Sequence, residues 1–161
     1  MKEIRLTRGR IALVDDEDYD SLNKHKWIAH KQSSGDYAVR SDYVNGSRVS
    51  LFMHRIIMDT PQGLEVDHID HNGLNNQKSN LRNCTRQENQ RNKRARSLSG
   101  YLGVAVERNR FRATIQVGEN RIYLGIFKTA IEAAYAYDKS AIEHFGVFAN
   151  LNFKDKLPIN A

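Results

Sequence analysis

Six consecutive residues, Val66-Asp67-His68-Ile69-Asp70-His71, set carboxylates beside imidazoles, and asparagines follow at 72, 75, 76, 80, 83, 89 and 92. A neutral imidazole can take a proton from water near pH 7, because the unperturbed histidine pKa is about 6.5. Carboxylate and amide oxygens are the ligands of hard divalent cations. A base for water, together with a cation that neutralises charge, is what hydrolysis of a phosphodiester uses. The flanking charge suits the same substrate. Residues 78–96 carry Lys78, Arg82, Arg86, Arg91, Lys93, Arg94 and Arg96 against the single acid Glu88, a net charge of +6. A solvated helix face is the ordinary origin of a charge run. Seven to one in sign favours a phosphate backbone instead.

Local structure has to hold these groups. Residues 65–70 contain β-branched side chains and can form a strand, Asn72-Gly73 opens a loop rich in turn formers, and residues 81–84 can form a second short strand. Thr85-Arg86-Gln87-Glu88 is a capping box, in which hydroxyl and carboxylate each satisfy a free amide, so a helix is expected from Arg86 with Asn89 in its first turns. Neighbours on a regular strand point to opposite faces, so Asp67 and His68 share a site only where the strand ends or bulges.

Asp67-His68, with Asn80 twelve and Asn89 twenty-one residues after the histidine, resembles the HNH endonucleases of the phage and intron homing type. His54-Arg55-Ile56-Ile57 upstream and Asn75-Asn76 with Asn80-Leu81-Arg82 downstream carry the same resemblance. It implies a ββα-metal finger with His68 as general base, Asp67 and Asn89 as metal ligands, and Asn80 bracing the loop and orienting the histidine. A site with one Asp and one Asn has low charge and suits Mg²⁺ or Mn²⁺ that keeps waters and shares phosphate oxygens. Arg91, Lys93, Arg94 and Arg96 are expected to follow the backbone of double-stranded DNA, adding affinity and salt dependence. His54 is expected to pack or hydrogen-bond under the finger, His71 and Asp70 to stand outside the ligand set, and Cys84 to be a small buried hydrophobe.

The whole chain has 161 residues, 40% hydrophobic and 27% charged, with net charge +6 and a pI near 9.5. That is the composition of a folded domain or two, drawn to polyanions. No apolar run approaches the ~20 residues of a membrane span, and residues 1–5 lack the apolar core of a signal peptide. One cysteine excludes an internal disulfide framework and a multi-cysteine zinc site. The expected setting is cytoplasmic, in a bacterial or phage-infected host cell, as a monomer or weak homodimer without a membrane partner.

Before the finger, strands are expected at 10–14, 27–31 and 37–43, a helix at 15–26, an Asn45-Gly46 hairpin turn, and a strand at 49–58 that finishes as a helical turn. After a linker at 97–100, Phe111, Ala113, Ile115 and Val117 alternate with Arg110, Arg112, Thr114 and Gln116. Ile122, Leu124 and Ile126 alternate likewise with Arg121 and Tyr123, and Leu102, Val104 and Val106 form a third apolar stripe. Thr129-Ala130-Ile131-Glu132 opens an alanine-rich helix that ends near Gly146.

A three-stranded sheet covered by this helix on one face leaves Arg110, Arg112, Thr114, Gln116, Arg121 and Tyr123 on the other for a nucleic-acid groove. Gly103-Val104, Tyr123-Leu124-Gly125, Ala133-Ala134, Ala136-Tyr137-Asp138 and Asn150-Leu151-Asn152-Phe153 resemble the APETALA/ethylene-response-factor DNA-binding domain. The resemblance implies DNA binding. It does not imply the plant target sequence, because Leu102, Ala105 and Glu107 stand where those members carry arginines.

The expected fold class is therefore α+β. A β-rich region (1–48) leads into the HNH finger with its basic helix (49–96), followed by the linker (97–100), the DNA-binding domain (101–153) and a tail (154–161). A metal-dependent, site-directed DNA endonuclease with a homing role fits best. The alternatives are a DNA-binding protein with a decayed finger, and a nuclease acting on RNA or non-specific DNA.

Overall fold

The structure, a computed structural model, describes residues 1–92 and 97–153. Lys93, Arg94 and Arg96 and the expected tail lie outside the described residues. The described residues are mixed α and β, with four small antiparallel sheets among them. It divides into two units, Met1–Asn89 and Gln90–Ala161.

In the first unit, β1 (Lys2–Arg5) pairs with β2 (Ile11–Val14), and α1 (Asp16–Leu22) follows. β1 is an element that the sequence pattern did not announce. The helix stops at Leu22, four residues before the expected end, and the chain turns so that the Trp27 indole N–H donates to Leu22 O at 2.8 Å. Strands β3 (Ile28–Gln32), β4 (Gly35–Val44) and β5 (Ser47–Phe52) form a meander. Asn45 (φ 50°) and Gly46 (φ 76°) are both left-handed, the backbone that a two-residue hairpin of the observed twist requires. The chain runs on into α2 (Met53–Ile57).

Ile4, Ala12, Val14, Leu22, Trp27, Ala38 and Met53 close over one core, with Leu74 packed against it. Leu74 belongs to the loop after β6 (Glu65–His68), which pairs with β7 (Leu81–Cys84) before α3 (Arg86–Arg91). The N-terminal region is built into that loop. Leu13 N–H donates to Leu74 O and Asn76 N–H to Leu13 O, both at 2.8 Å, while Asp15 accepts from Gln77 Nε2 and Lys78 N–H.

In the second unit, β8 (Val104–Glu107), β9 (Arg110–Val117) and β10 (Asn120–Phe127) form a sheet with β9 in the middle, and α4 (Ala130–Phe145) packs on it. The capping box expected at Thr129 and Glu132 starts α4. Ala133 and Ala134 reach zero exposure against Val104 and Ala113, so the small side chains let the helix lie close.

Two expectations for this sheet do not hold. A register shift between Tyr123 and Gly125 inserts one residue into β10, so Ile126 pairs with Arg112 and is 47% exposed, and Phe127 takes the core position. A single inserted residue reverses every side chain beyond it. Val106 faces the same side as Val104 but lies on the edge strand and is 50% exposed, and Leu102 precedes the strand. No helix among the described residues is long and apolar enough to cross a membrane.

Candidate active site

The β6–β7 ladder sets Asp67 opposite Arg82 and His68 opposite Leu81, without a bulge, and β6 ends at His68. Asp67 and His68 are 5% and 6% exposed. The Asp67 carboxylate faces its cross-strand neighbour, and Oδ2 accepts from Arg82 Nε at 2.9 Å and from its terminal guanidinium nitrogen at 2.7 Å. The regular alternation gives Asp67 and Glu65 one face of β6 and turns His68 to the other.

On that other face, the His68 ring stands in a box of aromatic edges. His54, on the first turn of α2, lies 5.0 Å away between ring centroids at 89°. Tyr37 on β4 is 5.7 Å from each imidazole. Burial pulls the His68 pKa down, against the opposing pull of Asn76, Asp70 and Asp67. Asn76 is fully buried with both side-chain polar atoms short of hydrogen-bond geometry. His54 is pulled down further, to about 3, by burial first and then by the charges of His68 and Arg55.

Asn80 holds the loop between the strands. Its Oδ1 accepts from Asp70 N–H at 3.0 Å, and its Nδ2 donates to Asp70 Oδ1 at 2.9 Å and Asn75 O at 2.8 Å. Ile69 N–H donates to Asn80 O at 2.9 Å, tying the end of β6 to the start of β7. Asp70 is the hub of this loop, accepting also from Asn72 N–H and Asn75 Nδ2, both at 2.8 Å. Burial pushes its pKa up, but the bonds from Asn75, Asn72 and Asn80 outweigh that and hold it below the usual carboxylate value. His71 occupies a left-handed turn (φ 62°) just beyond, its N–H bonded to His68 O at 2.9 Å.

The capping box at Thr85 forms as expected, with Thr85 N–H bonded to Glu88 Oε2 at 2.8 Å and Glu88 N–H to Thr85 Oγ1 at 3.3 Å. It starts α3 so that Asn89 Nδ2 donates to Glu65 Oε2 at 2.7 Å. Asn89 thus stands on the Glu65–Asp67 face of β6. Cys84 is buried, and burial raises its thiol to about 11.

The oxygen ligands that the Asp67, Glu65 and Asn89 side chains offer are a carboxylate with Arg82 on its Oδ2, a carboxylate that accepts from Asn89 Nδ2, and the Asn89 amide oxygen. That chemistry fits a hard divalent ion. Among the described residues, no three His, Cys, Asp or Glu side chains cluster as a metal site. The structure brings Asn89 to Glu65 and Arg82 to Asp67, and sets His68 against His54 and Tyr37, while Asn80 spans the loop. Tyr37 and Asn76 are the neighbours of His68 that sequence reasoning missed. Asn76 lay within the asparagine series, but nothing in a linear pattern assigns Tyr37 to this box.

In the second unit, Arg110, Arg112, Gln116 and Arg121 are exposed and Thr114 half-buried on the uncovered face, with Tyr123 60% exposed. Arg112 Nε lies 3.4 Å from Glu107 Oε2, and Gln116 Nε2 donates to Gly118 O at 2.9 Å. The Arg91 guanidinium stacks 4.4 Å from the Phe145 ring centroid.

The family profile described as HNH endonuclease matches residues 59–91, the span that holds the β6–β7 pair, its loop and α3. An uncharacterized HNH endonuclease of Acanthamoeba polyphaga mimivirus is 32% identical over 148 residues, covering 90% of this chain and 76% of the relative. With similarity running well beyond the β6–α3 segment, the chain belongs to the HNH endonuclease family.

Proposed function

We propose that the chain is a metal-dependent, site-directed DNA endonuclease whose β6, β7 and α3 act as a ββα-metal finger. The observation that carries this reading is the similarity of residues 59–91 to HNH endonucleases, with His68, its ring kept neutral by burial, following Asp67 at the end of β6. A neutral ring at that position accepts a proton from water as the water oxygen attacks phosphorus and the P–O bond to the leaving oxygen breaks. Asn80 orients the histidine by fixing the loop at Asp70 and Asn75. Asp67 and Asn89 would hold Mg²⁺ or Mn²⁺, which when bound supplies charge neutralisation at the phosphate and the leaving oxygen. Arg82 holds and neutralises the Asp67 carboxylate.

Residues 101–153 act in this reading as an APETALA/ethylene-response-factor-like reader of double-stranded DNA, through Arg110, Arg112, Thr114, Gln116, Arg121 and Tyr123. Arg91, Lys93, Arg94 and Arg96 follow the backbone in this reading. One site per chain produces a nick, or a double cut through two chains, as a mobile-element nuclease would need. A second reading, a DNA-binding protein without catalysis, is favoured by the low exposure of Asp67 and His68 and by the pairing of Asp67 with Arg82.

Supercoiled plasmid incubated with Mg²⁺ or with chelator separates the two. Metal-dependent relaxation or linearisation, reduced ~10²–10⁴-fold in His68→Ala with DNA affinity retained, is the expected outcome. Retarded mobility of a specific fragment with no cutting under Mg²⁺ or Mn²⁺ leaves only the binding protein.

A further inference from the structure

At the amino-terminal end of the first unit, a short 3-10 turn (Thr7–Gly9) is laid against β3. Thr7 Oγ1 accepts from Ala29 N–H at 3.1 Å, and Leu6 bridges Trp27. The turn, Arg10 and the β3–β4 hairpin border an open cavity of about 360 Å³ lined by Arg8, Gly9, Arg10, Ala29, Lys31 and Asp36. Lys31 and Asp36 are cross-strand partners, and Ala29 lies two residues from Lys31, so all three share one sheet face.

The charge in this cavity is unbalanced. Three cations meet one carboxylate, and Asp36 Oδ2 is taken by Arg10 Nε at 3.1 Å. Arg8 and Lys31 are exposed and have no acidic partner among the described residues. Arg8 also holds a left-handed backbone (φ 61°, ψ 28°), which for a residue other than Gly, Asn or Asp costs on the order of 1 kcal/mol. Asn or Gly would suit that turn with less strain. An arginine there gives the cavity lining a planar, multi-donor cation, the group that matches a phosphate.

The cavity is tied to the catalytic strand pair. Asp36 O approaches so close to Gly73, in the loop after His68, that a Cβ there would stand 2.5 Å from it. The next residue, Tyr37, turns to the opposite face and packs against His68.

We propose that Arg8, Arg10 and Lys31 form a clamp for one backbone phosphate of the duplex, so that the N-terminal region grips DNA while β6 and β7 present His68. This rests on the endonuclease reading for the identity of the ligand, and it gives residues 1–48 a direct role at the substrate. Arg8 and Lys31 supply the open donors, and Arg10 remains partly held by Asp36.

The test measures binding without cleavage: anisotropy of a labelled duplex with the full chain, in chelator, over a range of salt. Arg8→Asn keeps a residue that tolerates the left-handed turn, and Lys31→Gln keeps the stem of the side chain. In the double variant, affinity falls and the slope of log K against log[salt] becomes shallower by about 0.9, the value of one phosphate contact. The charge-preserving pair Arg8→Lys with Lys31→Arg keeps the native slope, and so does the charge-matched pair Lys24→Gln with Lys26→Gln.

An unchanged slope in the double variant, or an equal drop in the Lys24/Lys26 pair, overturns the clamp. It is overturned too if millimolar inorganic phosphate shifts the Arg8 side-chain NMR signals while the duplex slope is insensitive to the variants. That result would make the cavity a small-anion site. Plasmid cutting is scored separately. Cutting with an unchanged slope removes the clamp and leaves the nuclease, whereas a shallower slope without cutting removes the nuclease and leaves the clamp.

Discussion

The ring of His54 stands edge-on to the ring of His68, with centroids 5.0 Å apart and planes at 89°. Two imidazoles this close, both buried, form an apolar contact only while both are neutral. His54 is 8% exposed, and its pKa falls to about 3 through burial first and the neighbouring His68 next.

Acidification should therefore destabilise the first unit. Between pH 6.5 and about 3, unfolded His54 binds a proton that folded His54 refuses, so stability is intact above pH 6.5 and is lost as pH falls through that window. The loss is about 1.4 kcal/mol per pH unit for one such group. His68, also lowered, adds to it. Urea unfolding at pH 7, 6 and 5, followed by the fluorescence of buried Trp27, measures the slope. His54→Phe should remove its share, and an unaltered slope would refute the assignment.

Arg82 is the counter-charge of a buried carboxylate, with both its Nε and a terminal nitrogen on Asp67 Oδ2. Arg82→Leu should cost about 3–5 kcal/mol, because it strands that charge. Mg²⁺ should raise the melting temperature of Arg82→Leu more than that of the native protein, since a ligand that binds only the folded state stabilises it. Equal shifts in thermal scans would place the ion away from Asp67.

Asn80→Ala removes three hydrogen bonds at the start of β7. At about 1 kcal/mol each, the expected loss is roughly 3 kcal/mol. Single-turnover cleavage should slow while duplex affinity persists. A variant that loses stability but cuts at the native rate would show that Asn80 does not orient His68.

Gly73→Ala places a methyl group 2.5 Å from Asp36 O and 2.7 Å from the Tyr37 ring. A backbone carbonyl cannot rotate away, so the loop and β4 must separate, at about 1–3 kcal/mol. Tyr37 moves with β4, so cleavage should fall with stability. A native melting temperature would mean that the close approach is not needed.

Glu107 lies 3.4 Å from Arg112 on the uncovered sheet face of the second unit. Glu107→Gln releases that arginine and removes a charge that repels phosphate. If the face meets DNA, affinity should rise and the salt slope should steepen by up to about 0.9. Duplex titrations over a salt series read both, and no change would place Arg112 off the DNA.

The local scaffold of the Asp67–Asn89 stretch was legible in the sequence, because it depends on spacing within a few turns. Strand 81–84, the capping boxes at Thr85 and Thr129, and the alternation in β9 all arise from neighbours interacting with neighbours. Asn80 as a loop brace belongs to the same class, its partners lying at most ten residues away.

What no periodicity could disclose was set by packing between distant segments. Tyr37 reaches His68 because β4 is drawn onto the loop by a core that joins Ile4, Trp27 and Met53 to Leu74. The Ile126 side chain turns outward because one residue is inserted at Tyr123–Gly125, an irregularity decided by how β10 pairs with β9. The residues thus specified which chemistry is available and which short elements carry it. Only the tertiary structure decided which faces those elements turn to one another, since that choice minimises exposed apolar area over the whole unit and has no trace in local spacing.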